Sequence, residues 1–345
     1  MKTSSPSKVS ICFLPKLEGY GGPSSFQARL SQGLAVRGIE THHDPNRIDC
    51  AAILVVGGTH QLLDVWRARQ RGVRIVQRLD GMNWMHKVRK TGLKHYLRAE
   101  WYNWMLTFTR RNLADHIAYQ SQFSYDWWNS VHQTTRASSQ VIYNGVDLNT
   151  YTPNGDEKPP KDKVRILVIE ASFSGGYESG LENAVDFILG MQEKTRQKVE
   201  LVITGNAPDG LKEMANQKSG GLTHWVGWVA REQIPAMDRS AHMLFSADVN
   251  AACPNSVVEA MACGLPVIGY ATGSLPELVD GDAGRVAPYG SNYWKLKAAQ
   301  PADLVKAASE ILERQDHFRK AARIRAEEYF GLGKMTELYL QAFNL

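Results

Sequence analysis

The stretch CPNSVVEAMACGLPVIGYATGSLPELVDGDAGRV, Cys253 to Val286, decides how this 345-residue chain is read. Asn255 is a helix-capping residue type, and Val257, Val258, Met261 and Ala262 give the helix after it an apolar side. Gly264 suits the left-handed position just past a helix end, and Pro266 blocks continuation. Residues 266–270 then have the composition of a short buried strand. Thr272-Gly-Ser reads as a loop, and Leu275-Pro-Glu-Leu as the opening of another helix.

The same alternation extends outward. Strands are predicted at 164–170, 199–204, 224–229 and 243–246, with helices near 181–191, 231–239 and 256–263. This order favours a mostly parallel sheet with helices on both faces. In the first half, a strand at 9–15 leads to the loop Tyr20-Gly21-Gly22-Pro23-Ser24 and a helix through Phe26, Leu30, Leu34 and Val36. Strands follow at 51–57 and 74–81, separated by a helix near 61–71, and again at 116–123 and 140–147. The polar, proline-rich segment 152–163 reads as a linker, and the tail as helices at 301–314, 317–329 and 335–343.

Length favours two domains. The longest apolar runs fall well short of a membrane helix. The N-terminal MKTSSPSK lacks the apolar core of a signal peptide. The four cysteines (Cys12, Cys50, Cys253, Cys263) form no CxxC, which argues for a reducing compartment and against structural zinc or disulfides. A cytoplasmic location is expected. Charge is uneven: residues 1–150 carry 19 Lys/Arg and 10 Asp/Glu, net +9, leaving −4 for the rest. A basic first half implies an anionic partner such as a lipid-linked phosphate or the inner face of a membrane, touched peripherally. No nucleic-acid-binding module is legible. Residues 84–128 concentrate bases and aromatics. Trp101, Trp104 and Phe108 are spaced to share one helix face, which is expected to be core. The nearby lysines and arginines read either as a lipid contact or as a solvated face.

Glu259-Ala-Met-Ala-Cys-Gly-Leu-Pro-Val-Ile, Gly273-Ser-Leu-Pro-Glu277 and Gly284 together resemble the signature of the retaining glycosyltransferases of family 4, glycosyl transferases group 1. The Gly21-Gly22 loop, Asn144-Gly-Val-Asp147 and Gly227-Trp-Val229 resemble further family segments. The resemblance implies an α/β GT-B fold: two Rossmann-like domains facing each other across a cleft, with a C-terminal helix crossing back to the first. The first domain would be 1–150 plus about 330–345, on the acceptor side, and the second 151–329, binding the nucleotide-sugar donor. It implies that Glu259 binds the ribose hydroxyls of the donor. The helix N-terminus with Asn255 and Ser256 would face the diphosphate, as would Gly21 and Gly22. Trp228 would lie at the base. The chemistry is coherent, because a carboxylate accepts two hydrogen bonds from vicinal hydroxyls and a helix N-terminus favours phosphate. Bland alternatives stay open. Ser256–Glu259 also fits a capping box, Gly21-Gly22 a plain turn, and Trp228 a core residue. The Asn-Gly of 144–145 favours positive φ at a sharp exit from the last strand.

The sequence departs from the family pattern in three respects, at four positions. Eight residues before Glu259, where the family carries an acidic residue that contacts the transferred sugar, stands Ala251; Asp248 is the nearest substitute. The loop positions where the family places an arginine and a lysine against the diphosphate hold Phe173 and Ser179. A charge-assisted hydrogen bond contributes about 1.5–3 kcal/mol, so two lost contacts weaken donor binding by orders of magnitude unless replaced. Ser172, Ser174, Gly175 and Gly176 offer hydroxyl and backbone donors as replacements. Asp80 stands where many members have a histidine; it suits either orientation of an acceptor hydroxyl or the capping of an Asp-Gly turn.

The reading that results is a retaining transferase moving a sugar from a nucleoside diphosphate donor (UDP or GDP) to a glycan or lipid-linked acceptor hydroxyl. Asp80 and Asp248 are the candidate catalytic residues. No metal and no tightly bound cofactor are expected. A GT-B protein that binds a glycan or nucleotide without transfer, and a nucleotide-sugar epimerase, are the rivals.

Overall fold

The computed structural model describes residues 9–19, 21–174 and 176–345. Tyr20 and the donor candidate Gly175 lie outside the described residues. The chain forms two compact units: one of the N-terminal residues to His86 with Thr91–Gly145 and Leu332–Leu345, the other of Lys87–Lys90 with Val146–Gly331.

The first unit runs β1 (Ser10–Leu14), α1 (Gly22–Ala35), β2 (Glu40–His42), β3 (Cys50–Val56), α2 (Leu62–Gln70), β4 (Arg74–Leu79), α3 (Leu93–Phe108), β5 (His116–Tyr119), α4 (Gln122–His132) and β6 (Ser138–Val141). Its six strands are all parallel, in the order β2-β1-β3-β4-β5-β6. Strands such as Ala52–Val55 are wholly buried, as expected where helices cover both faces. On α1, Phe26, Leu30 and Leu34 enter the core, but Val36 is 82% exposed, because the helix ends at Ala35 before the stripe reaches it.

The second unit runs β7 (Lys163–Ser172), α5 (Glu178–Lys194), β8 (Lys198–Asn206), α6 (Asp209–Ser219), β9 (Thr223–Gly227), α7 (Ile234–Arg239), β10 (Met243–Phe245), α8 (Asn255–Ala262), β11 (Val267–Tyr270), α9 (Leu275–Leu278), β12 (Gly284–Ala287), α10 (Ala302–Glu313) and α11 (Gln315–Tyr329). Its parallel sheet has the order β12-β11-β10-β7-β8-β9, the doubly wound arrangement that reverses between β7 and β10. Ile166, Val168, Leu201, Ile203, Met243 and Phe245 build its core with α5 and α10. The segment expected to be a linker packs along this unit, where Glu157 pairs with Arg239 at 2.7 Å.

The last helix, α12 (Leu332–Phe343), belongs to the first unit. Tyr339 lies 5.3 Å from Phe26 on α1, and Gly33 leaves room for Thr336, whose hydroxyl a Cβ there would overlap. The Asn144-Gly145 turn differs from expectation, since neither residue has positive φ. Gly145 is buried, and its N–H donates to the Met335 sulfur 3.1 Å away.

Candidate active site

In doubly wound sheets, ligands meet the carboxyl ends of the strands beside the point where strand order reverses. In the second unit that point lies between β7 and β10. Glu170 is the third residue from the end of β7, and Asp248 follows β10 by three residues. Burial raises both carboxyls; Asp248 is pushed up to about 7, and Glu170 well above the ordinary carboxylate range, with the charge of Asp248 adding to the effect. Glu170 is the residue that sequence reasoning missed. Its signal was its place at the end of a predicted strand, but strand order, which makes it a neighbour of Asp248, is not written locally.

Backbone contacts fix this edge. Gly205 on β8 allows the Glu170 carbonyl to approach, since a Cβ there would overlap that oxygen. Gly180, in the first turn of α5, sits against the Ala247 carbonyl in the same way. Asn250 has φ 64, is 5% exposed, and both polar atoms of its amide lack a partner. Next to it, Ala251 is clasped by the loop after β11. Ser274 N–H donates to Ala251 O at 2.9 Å, and a Cβ at Gly273 would stand 2.6 Å from that oxygen. The Thr272-Gly-Ser loop is therefore a clamp on the β10–α8 connection.

The sequence α8 carries ends as read: Leu265 N–H donates to Ala260 O and Gly264 N–H to Met261 O, with Gly264 at φ 68. Its start differs. Pro254 occupies the capping position with φ −67 and ψ 127, Asn255 is already helical, and no side chain caps the helix. Proline supplies the extended backbone that a cap needs and lacks the N–H that would be wasted there. Glu259 is 8% exposed on this helix. Asp238 on α7 is fully buried nearby; burial and the Glu259 charge both push its carboxyl up.

The remaining second-unit candidates lie at the same edge of the sheet. Ser174 follows β7, with its hydroxyl 2.9 Å from that of Ser172. Gly176 has φ 112 just before α5. Ser256 is in the first turn of α8. Trp228 follows β9 and is 52% exposed, so it is not a core tryptophan. Phe173, by contrast, is buried against Trp225, and Ser179 is buried with its hydroxyl unpartnered. Neither position presents a cation.

In the first unit, Gly21 is the capping residue of α1 and Gly22 its first helical residue. Gly21 has φ −72, and a Cβ there would meet nothing within 4 Å, so the fold itself does not demand glycine. Asp80 follows β4; its carbonyl accepts from Trp128 Nε1 at 2.7 Å. Burial pushes its carboxyl up while the Arg78 guanidinium opposes the shift. Arg78 itself is buried, bonded to Asn144 Oδ1 at 2.9 Å and stacked 3.9 Å over Phe26.

Residues 170–314 match the model of the family Glycosyl transferases group 1. A D-inositol 3-phosphate glycosyltransferase of Mycobacterium sp. (strain JLS) is 27% identical over 215 residues, 57% of this chain and 48% of the relative. The match therefore spans about half the length of that curated relative. A sucrose-phosphate synthase from Thermosynechococcus elongatus superposes with a TM-score of 0.73 at 16% identity, over 98% of this chain and all of that one. Anabaena HepE in complex with UDP and glucose gives 0.67 at 14%, over 97% and 99%. At such identities the structures show a shared GT-B fold. The 170–314 segment is thus similar to the glycosyl transferases group 1 family, and the chain as a whole has the GT-B fold.

Proposed function

We propose that the protein transfers a glycosyl group from a nucleoside diphosphate sugar to an acceptor hydroxyl, with retention at the anomeric carbon. The observation that carries this reading is the Glu259 helix. It lies inside the family-matched segment, begins at the carboxyl edge of a doubly wound sheet, and adjoins the Gly273-Ser274 clamp.

In this reading Glu259 accepts hydrogen bonds from the ribose hydroxyls, and the N–H groups of Asn255 and Ser256 meet the diphosphate. Ser174, Gly175 and Gly176 add hydroxyl and backbone donors where the family's cations are missing, and Trp228 flanks the base. We assign Gly21 and Gly22 to the diphosphate and Asp80 to the acceptor hydroxyl on the strength of the sequence resemblance. Asp248 faces the transferred sugar, with Glu170 beside it. The bond between the anomeric carbon and the departing diphosphate breaks while the acceptor oxygen bonds to that carbon on the same face, and the acceptor proton passes to the departing phosphate. Charge develops on that phosphate, so stabilisation is mainly electrostatic. A protonated carboxyl in the Glu170–Asp248 pair lowers the negative charge beside it, which suits a site without lysine or arginine at the two family positions.

The base is uracil or guanine, and the acceptor a glycan or lipid-linked hydroxyl. Calorimetry with UDP, GDP and ADP, followed by turnover with the matching sugar donors, tests the proposal; anomeric analysis of the product by NMR tests retention. Binding without transfer is the second reading. It is favoured by Phe173 and Ser179, uncharged residues buried at the two positions where the family carries cations. Tight nucleotide binding with no product from any donor–acceptor pair would establish it. Release of an altered sugar without an acceptor would instead point to an epimerase.

A further inference from the structure

Helix α3 presents an apolar face to solvent. Leu93, Leu97, Trp101 and Trp104 follow one another at helical spacing, within one quarter of its circumference. They are 75%, 59%, 51% and 47% exposed. The tryptophans are not core, as their spacing with Phe108 suggested. Trp101 and Trp104 stack on each other at 4.9 Å along the outside of the helix. The opposite side anchors the helix: Ala99, Met105 and Leu106 are buried, and Gln77 donates to Leu106 O at 3.1 Å.

The charge on the helix beside this stripe is basic: its first six residues, 93–98, include Lys94 and Arg98 and no Asp/Glu. Lys94 and Arg98 lie along one edge of the stripe. The sole acid within the helix, Glu100, is turned to His86, 2.5 Å away. Among the described residues no helix is long and apolar enough to cross a membrane.

We propose that α3 is a docking surface for an anionic lipid bilayer, lying flat in the headgroup region. Leucine and tryptophan on one face with lysine and arginine at its border is the pattern of interfacial helices. Tryptophan favours the headgroup level, and the long basic side chains reach phosphates while their stems cover apolar surface. A protein partner fits less well, because lysine is depleted in such interfaces. The proposal stands independently of glycosyl transfer, since it concerns only the surface of the first unit.

The test is co-sedimentation of the full chain with phosphatidylcholine vesicles, with and without 30 mol% phosphatidylglycerol. Binding is expected with the anionic lipid, and at least ten-fold weaker binding without it or in 0.5 M NaCl. Leu97→Glu with Trp104→Glu should abolish it, with an unchanged melting temperature because both residues are exposed. Lys94→Glu with Arg98→Glu, which leaves every apolar group in place, should weaken it at least ten-fold. No binding to either vesicle, or binding that both double variants retain, overturns the proposal. A dimer by light scattering that Leu97→Glu dissolves, with no vesicle binding, overturns it in favour of a second copy of the chain.

Discussion

The carboxyl of Asp248 and that of Glu170 stand at the ends of adjacent parallel strands, and the charge of the first raises the proton affinity of the second. With Asp248 pushed up to about 7, the pair holds at least one proton below neutrality. The sign follows. A carboxyl raised above its unfolded value stabilises the fold below that value, and the contribution is lost as pH climbs through the folded value. Stability is therefore expected to fall between about pH 4 and pH 8, with urea titration as the measurement. Asp248→Asn should flatten that fall, since each pKa unit removed is about 1.4 kcal/mol. UDP or GDP affinity should decline over pH 6–8 in the same way and decline less steeply in the variant, where burial still raises Glu170. An equally steep loss in Asp248→Asn would separate Asp248 from the nucleotide.

Glu259→Ala should abolish nucleotide binding while leaving the fold in place. Two charge-assisted hydrogen bonds of about 1.5–3 kcal/mol each correspond to a loss of at least a hundred-fold. Glu259→Gln keeps one acceptor oxygen and should fall between. Calorimetry gives the affinities and urea titration the stability. An Ala variant that binds as wild type would return Glu259 to a purely structural role on α8.

Gly180 holds α5 against the strand exit that leads to Asp248. Alanine is better than glycine in a helix by about 1 kcal/mol, so propensity alone predicts that Gly180→Ala stabilises. The Cβ would overlap the Ala247 carbonyl oxygen, which is backbone and cannot swing aside. Overpacking of this kind costs about 1–3 kcal/mol, and that term should win. The expected result is a lower urea midpoint with an unchanged slope, together with weaker nucleotide binding.

The fold was legible because its signals are local and repeated. Apolar strands alternate with amphipathic helices, and Gly264 with Pro266 ends α8 where the chain must turn into β11. What sequence left open depended on position in the assembled sheet. The spacing of Trp101, Trp104 and Phe108 says that they share a face; it does not say that the face turns outward. Glu170 closes a strand that was predicted, but only the order β10-β7 makes it a partner of Asp248. Pro254 took the capping place from Asn255 because backbone angles, rather than a side-chain acceptor, define that position here. Ala251 was visible as a departure, yet its burial under Gly273 and Ser274 was not.

Gly21 separates a turn from a ligand contact. It is the capping residue of α1, with φ −72 and ψ 169, and a Cβ there would meet nothing within 4 Å. Serine is a preferred residue at that position, so Gly21→Ser should leave stability unchanged or raise it by a few tenths of a kcal/mol. If Gly21 serves only the turn, nucleotide affinity and transfer should be unchanged as well. If the glycine is there to let the backbone approach a diphosphate, the added side chain obstructs the ligand and not the fold. We expect the second outcome: wild-type stability in urea with at least ten-fold weaker donor binding. Equal donor binding in Gly21→Ser would remove the GG loop from the site and leave the second unit as the sole donor platform.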